Sequence, residues 1–229
     1  MTLLSKRLQA VYQMVDEHTR VADIGSDHAY LPVELIEKKV ADFAIAGEVA
    51  EGPMSRSKED VEKFGLSDKI DVRLGDGLAV IKADDLIDTV VIAGMGGILI
   101  QSILTRATAE QLSHVKTLVL QPNIGEPLVR HWLVENNFAI VDEDIVEEDH
   151  HVYEIIKAQK VTAPVTLNEA EFLMGPVLMQ KKTATFVAKW QHKLSGYHKA
   201  VANMKHAKKI DQDKIDVMNQ YIKYIEEIL

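Results

Sequence analysis

Cysteine is absent from the 229-residue sequence. That absence excludes disulfides, zinc–thiolate sites, iron–sulfur clusters and thiol nucleophiles, and it is compatible with a reducing cytoplasm. No apolar run approaches the roughly 20 residues that span a bilayer. Met1-Thr2-Leu3-Leu4-Ser5-Lys6-Arg7 lacks the apolar core of a secretory signal. The expectation is a cytoplasmic protein without a membrane partner. The dinucleotide pattern G-x-G-x-x-G is missing, since Ser26, Asp27, His28 and Ala29 follow Gly25; this argues against a nicotinamide dehydrogenase. No G-x-S-x-G is present, which argues against an α/β-type serine hydrolase. Asp149-His150-His151 lies in an acidic loop without convincing ligand spacing, so no metal is expected.

What is present is the balance of a soluble globular chain, 47% hydrophobic and 27% charged. The length suits one larger domain plus a small one, or one large domain, with a sizeable core. The net charge of −9 is unevenly divided. Residues 1–159 carry 15 basic and 28 acidic side chains; residues 160–229 carry 11 basic and 7 acidic. Between Glu171 and Asp211 there is no acidic residue, yet Lys181, Lys182, Lys189, Lys193, Lys199, Lys205, Lys208 and Lys209 all fall there. An acidic body with a basic appendage points to an anionic partner. The same lysines also suit a solvated helix face.

The hydrophobic period changes at the same place. Short β-branched runs at residues 19–24, 43–48, 70–74, 89–93, 117–120, 138–143 and 152–157 read as strands. Helices are predicted between them at residues 31–39, 54–64, 101–105 and 127–136. Such alternation predicts an α/β fold with a mostly parallel, doubly wound sheet and helices on both faces. The last two strands lack a helix between them and are expected to form an antiparallel edge hairpin. In the second part Val187, Trp190, Leu194, Tyr197, Val201 and Met204 step by three and four, as do Ile215, Met218, Ile222, Ile225 and Leu229. A polar break at residues 207–213 separates them, so a C-terminal α-helical coiled-coil hairpin is expected, with Trp190 and Tyr197 in its core. The division is therefore residues 1–160 and 161–229.

The glycine-rich turns sit at strand ends. Asp23-Ile24-Gly25-Ser26-Asp27-His28-Ala29-Tyr30 joins the first strand to the first interstrand helix. A glycine there admits a ligand to the backbone, and the helix N-terminus offers unpaired amides. Asp23 suits the cationic end of an amino acid. Glu48, 25 residues later, can accept both hydroxyls of a ribose. Gly75-Asp76-Gly77 follows the third strand, where Asp76 can accept an exocyclic amine and the glycines admit a flat base. Ala93-Gly94-Met95-Gly96-Gly97 follows the fourth. Taken singly, each is also an ordinary tight turn. Taken together they converge beyond the carboxyl ends of the strands, where such sheets bind ligands.

In order and placement these motifs resemble the Rossmann-like class I S-adenosyl-L-methionine-dependent methyltransferases. With Leu4-Ser5-Lys6-Arg7-Leu8, Gly52-Pro53 and Gln121-Pro122-Asn123, the whole chain resembles the TrmK family, bacterial tRNA (adenine-N1)-methyltransferases that act on adenine 22 in the D-arm. The resemblance implies that Asp23, Gly25, Asp27, His28, Glu48, Asp76, Gly77, Gly94 and Met95 hold S-adenosyl-L-methionine, and that the C-terminal helices bind tRNA. One departure is Asp60, where the family usually carries asparagine.

Adenine N1 has an in-plane lone pair, so no proton need leave before it attacks. This agrees with the absence of the Asp/Asn-Pro-Pro-aromatic motif that polarises exocyclic amines. Asp27 is the candidate for stabilising the cationic product, or else it caps the next helix. Gln121 and Asn123 are candidates for holding the base edge, His28 for local packing. Lys181, Lys182, Lys189, Lys193, Lys199 and Lys205, with Arg7 and Arg130 from the first domain, are candidate phosphate contacts. A small-molecule methyltransferase and a non-catalytic RNA-binding protein of the same fold are the alternatives. The heptad stripes are open to pairing within or between chains, so the oligomeric state is a monomer or a weak homodimer.

Overall fold

The structure is a computed structural model and describes residues 4–206 and 211–229. The chain forms two compact units, residues 1–166 and 167–229. In the first, seven strands make one sheet in the order β3-β2-β1-β4-β5-β7-β6. They are β1 (Thr19–Ile24), β2 (Ala41–Glu48), β3 (Ile70–Leu74), β4 (Thr89–Met95), β5 (Thr117–Pro122), β6 (Phe138–Glu148) and β7 (His151–Lys160). The first five pair in parallel, and β7 inserts antiparallel between β5 and β6. The expected terminal hairpin is present. Its turn is Asp149-His150, both in the left-handed region at φ 48° and 63°, as a two-residue hairpin joining right-twisted strands requires.

The strands read as continuous apolar runs because both faces are covered. Ala22 and Ile24 of β1, Val90 and Ile92 of β4, and Leu118 and Leu120 of β5 enter one core. The intervening Val21, Val91 and Val119 enter the other. Helices α1 (Lys6–Gln13), α2 (Tyr30–Glu37), α3 (Glu51–Lys63), α4 (Gly97–Thr105) and α5 (Glu126–Glu135) clothe the sheet. Helix α1 was not anticipated by period alone. Ser5 caps it by accepting from the Leu8 N–H, and its Ala10 and Val11 are buried. Helices α3 and α4 begin three and four residues earlier than the apolar pattern predicts, at Glu51 and Gly97, because Gly52, Pro53 and Gly97 are tolerated in a first turn.

Arg130 does not reach RNA. Its side chain is fully buried, bonded to Glu143 of β6 at 2.8 Å and to Glu154 of β7 at 2.5 Å. Burial disfavours its charge, and the two carboxylates outweigh that, holding the guanidinium above its usual pKa. The charge that looked like a phosphate contact fastens α5 to the antiparallel edge of the sheet.

In the second unit α6 (Glu169–Met174), α7 (Pro176–Lys181), α8 (Ala184–Lys205) and α9 (Gln212–Ile228) follow one another. The two short helices were not anticipated. Asn168 and Glu171 form a reciprocal capping box at the start of α6, and Thr183 caps α8. Val201, Ile215 and Ile222 are buried together between α8 and α9, flanked by Leu194, Tyr197, Met204 and Met218. Tyr197 meets Tyr221 at 5.8 Å. Trp190 is buried against Phe186. Of the polar break, residues 207–210, with Lys208 and Lys209, lie outside the described residues; Asp211 caps α9.

Replacing Arg130 by methionine leaves two carboxylates buried without their cation. Unfolding in urea should show a loss of about 3–5 kcal/mol; a loss below 1 kcal/mol would mean that the triad contributes no more than an exposed pair.

Candidate active site

The site lies past the carboxyl ends of β1 to β5, all within the first unit. The register pairs Asp23 with Ala46 and Ile24 with Gly47. Asp23 and Glu48 are therefore near neighbours, and both are buried. The chain then turns through Gly25 at φ +73° and Asp27, His28 and Ala29 at +42°, +67° and +53°. Three consecutive side-chain-bearing residues in the left-handed region are costly, and they persist where the surroundings over-determine them. Here the Gly25 and Ser26 N–H groups donate to the Gly47 carbonyl at 2.8 and 3.2 Å, and the Asp27 N–H donates to Glu48 Oε1 at 2.7 Å. Ser26 Oγ donates to Asp23 Oδ2 at 2.6 Å.

Burial pushes the Asp23 carboxyl up to about 7, with the Ser26 hydroxyl working the other way. Glu48 is also raised by burial, against the hydrogen bonds from Asp27 and Ser57. Ser57 lies 3.4 Å from Glu48 Oε1, so that oxygen is engaged. Glu48 Oε2 takes no hydrogen bond among the described residues.

A cleft of about 180 Å³ opens beside these groups. Ile24, Gly25, Gly47, Gly75, Asp76, Gly77, Met95 and Leu99 are among its walls. A Cβ at Gly25 would collide with the Met95 methyl. The bare backbone there is what lets Met95 form the opposite wall. Asp76 is more than half exposed and takes a forked contact from Arg106, at 2.6 and 3.2 Å. Each of its oxygens retains a further lone pair. Arg106 had no signal in the sequence; it follows α4 and is reached only through the fold.

His28 packs and hydrogen-bonds locally. Its Nδ1 lies 2.9 Å from Asp60 Oδ2, and its ring stacks on Tyr30 at 5.2 Å. The contacts from His28 and then Lys63 hold Asp60 below the usual carboxylate range. Asp60 is thus tied to the turn after β1. Asp27 does not cap α2: the capping position is Ala29, which has no side-chain cap bond. The Asp27 carboxylate is 88% exposed, with His28 Nε2 4.0 Å away.

Two expected roles need correction. Gln121 cannot hold a base edge, because its side chain is fully buried at the end of β5. Its Oε1 accepts from Arg7 Nη1 at 2.7 Å and from the Gly94 N–H at 3.0 Å. Arg7, expected as a phosphate contact, is instead held within the first unit by this bond. It is half-buried, 5.7 Å from the Tyr153 ring centre, and passes across Gly94, where a Cβ would stand 3.2 Å from its Nη1. Asn123 is exposed, accepts from Gln121 Nε2 at 3.2 Å and donates to the Gly94 carbonyl at 2.8 Å. Lys181 and Lys182 are exposed at the end of α7, and Lys199 and Lys205 are exposed on α8. Lys189 and Lys193 lie 5.8 and 5.2 Å from the Trp190 ring centre. No cluster of three or more potential metal ligands occurs among the described residues.

A parallel sheet with one inserted antiparallel strand, and carboxylates at successive strand ends around a glycine-walled cleft, define the class of Rossmann-like methyltransferases. The family model described as tRNA (adenine(22)-N(1))-methyltransferase, TrmK, matches residues 21–227, and the chain belongs to that family. It is 41% identical over 215 residues to the tRNA (adenine(22)-N(1))-methyltransferase of Bacillus subtilis, covering 92% of this chain and 90% of the relative. The crystal structure of the B. subtilis m1A22 tRNA methyltransferase TrmK superposes with a TM-score of 0.90 at 37% identity, covering 100% of this chain and 99% of that one. TrmK of M. capricolum, solved with the cofactor product S-adenosyl-homocysteine, gives 0.79 at 28% identity, covering 97% and 99%.

The raised Asp23 pKa fixes a sign. The folded group binds its proton more tightly than the unfolded one, whose ordinary value is 3.8. Its ionisation therefore destabilises the cofactor-free fold most above about pH 7, and the cost fades towards pH 4. Asp23→Asn should raise the melting temperature by several degrees at pH 8 and leave it nearly unchanged at pH 4. An equal shift at both pH values would refute the assignment.

Proposed function

We propose that this chain transfers the methyl group of S-adenosyl-L-methionine to N1 of adenine 22 in tRNA. The observation that carries the proposal is the glycine-walled cleft, lined by Gly25, Gly47, Asp76 and Gly77, with the buried Asp23 and Glu48 next to its walls at the ends of β1 and β2. The donor set fits the cofactor. Asp23 offers a buried carboxylate to an ammonium, Glu48 Oε2 is available to ribose hydroxyls, and Asp76 keeps a lone pair for an adenine amine. Gly25 and Gly77 bring backbone rather than side chain to the ligand, Met95 bounds the cleft with Gly94 next to it in β4, and His28 braces the turn that carries Asp27.

When bound, S-adenosyl-L-methionine supplies a sulfonium methyl that an in-plane lone pair attacks directly. The residues of this chain then mainly align and exclude water. Methylation at N1 leaves the base cationic, and the exposed Asp27 carboxylate at the cofactor turn is placed to face that charge. N1 lies on the Watson–Crick edge, so the adenine must be unpaired or extruded to react. Lys181, Lys182, Lys189, Lys193, Lys199 and Lys205 supply the positive charge that holds the tRNA backbone. This reading places the protein in the cytoplasm, as a monomer or weak homodimer; no described helix is long and apolar enough to cross a membrane.

Incubation with S-adenosyl-L-methionine and unmodified tRNA, followed by nucleoside mass spectrometry, tests the proposal. The expected product is 1-methyladenosine, lost when adenine 22 is replaced. Methylation of a small acceptor instead, or cofactor binding with no methylated nucleoside, would overturn it.

Charge reversal of Lys181, Lys182, Lys199 and Lys205 tests the RNA contact separately. The slope of log affinity against log salt should shrink by up to about four if each lysine meets one phosphate. Cofactor affinity should not change. An unaltered slope removes these lysines from the interface.

A further inference from the structure

From the hydrogen bonds around Gln121 we infer that Asn123 selects adenine by its N6/N7 edge, and that Arg7 is a positioning residue that, with Gly94, steadies the direction of the Asn123 amide. The inference rests on the methyl-transfer reading above and names the residue that recognises the base.

The orientation of an amide side chain follows from partners that can only donate or only accept. A guanidinium and a backbone N–H only donate. Arg7 Nη1 and the Gly94 N–H both point at one atom of Gln121, 2.7 and 3.0 Å away, so that atom is the oxygen. The Gln121 nitrogen then faces Asn123 at 3.2 Å, and Asn123 must present its oxygen there. Its nitrogen in turn faces the Gly94 carbonyl at 2.8 Å, which only accepts. The relay closes on the residue where it began, and each link has one direction. The Asn123 backbone is fixed as well, its N–H donating to the Met95 carbonyl at 2.7 Å. Gln121 is fully buried while Asn123 is exposed. The relay therefore runs from a half-buried arginine to an exposed amide beside Met95, a wall of the cleft.

Each amide atom of Asn123 uses one of its two bonds in this relay. One lone pair and one N–H remain. That acceptor–donor pair is the complement of adenine's N6 amine and N7 lone pair. Guanine places an oxygen where adenine has its amine, which sets acceptor against acceptor, and pyrimidines have no N7. Contact along N6 and N7 leaves N1 open on the other edge, which is the atom that must react. With Arg7 removed, Gln121 keeps only the Gly94 N–H as an orienting donor. Gly94 alone then orients both amides, through its N–H to Gln121 and its carbonyl to Asn123, and the relay is held less firmly.

The test compares kcat/KM for tRNA carrying adenine or 7-deazaadenine at position 22, in wild type, Asn123→Ala, Arg7→Ala and Arg7→Lys. Circular dichroism and thermal unfolding of each variant report intact folding. The carbon swap also alters N1 basicity, so the ratio between the two substrates is read across variants. Wild type should prefer adenine by roughly ten- to hundredfold over its Asn123→Ala baseline. The preference should weaken in Arg7→Ala and return in Arg7→Lys, which keeps a donor. A merely structural role for Arg7 would slow both substrates alike and leave the ratio unmoved. A ratio identical in wild type and Asn123→Ala overturns the base-edge assignment. A wild-type ratio in Arg7→Ala overturns the positioning role. Absence of any tRNA methylation by the wild type is a different result, since it removes the underlying reading.

Discussion

Burying a carboxylate without a bonded cation works against folding, and Asp23 is buried in that way at the end of β1. Arg7 acts on it only at a distance, and the bonded partner is the Ser26 hydroxyl. The rest of the site is arranged around this constraint. The strand register sets Glu48 beside it, a second buried acid whose charge raises Asp23 further. The turn between them is held in left-handed backbone by N–H groups aimed at the Gly47 carbonyl and the Glu48 carboxylate. A site that holds negative charge and strain in its empty state is relieved by a cationic ligand. On the proposed reading, the same groups that cost stability favour binding of the cofactor's ammonium.

The order of the sheet was largely legible because its signal is local. Apolar runs ending at Gly25 and Gly75, or running into Gly94, mark strands that deliver ligand-binding turns to one edge, and the structure has a strand at each. Asp23, Glu48 and Asp76 could be placed because their position depends on those strand ends alone. The misplaced residues all depend on partners distant in sequence. Arg130 meets Glu143 and Glu154 across an antiparallel hairpin, and nothing in its own neighbourhood shows that pairing. Arg7 meets Gln121 from 114 residues away. A cation in an acidic domain looks like an RNA contact until the fold supplies its counterpart. Helix α1 was missed because eight residues are too few for a period to stand out, although Ser5 ahead of it is a capping residue.

The second unit carries a different kind of information. Its long helices pack through a buried aliphatic seam that the heptad spacing foretold, while α6 and α7 depend on caps at Asn168 and Gly175-Pro176 that punctuate rather than repeat. Lysine is well suited to the outer faces. Lys189 and Lys193 set their ammonium groups over the Trp190 ring, 5.8 and 5.2 Å from its centre, a cation–π arrangement. The acidic excess of the chain falls in the first unit and the basic excess in the second. On the proposed reading, that asymmetry disfavours non-specific RNA binding by the first unit.

On the reading proposed above, selectivity for the base rests on very few atoms. Phosphate contacts orient an RNA without reading its sequence. The proposed reader of the base is a neutral group of fixed orientation, Asn123, bonded through its N–H to Met95 of the cleft wall. An amide is suited to this because it carries an acceptor and a donor side by side, and it is hazardous because half a turn exchanges them. Two amides in series anchored by an arginine remove that ambiguity. The glycine at position 94 is what allows it, since its bare backbone both donates to Gln121 and accepts from Asn123 while leaving room for the guanidinium to pass.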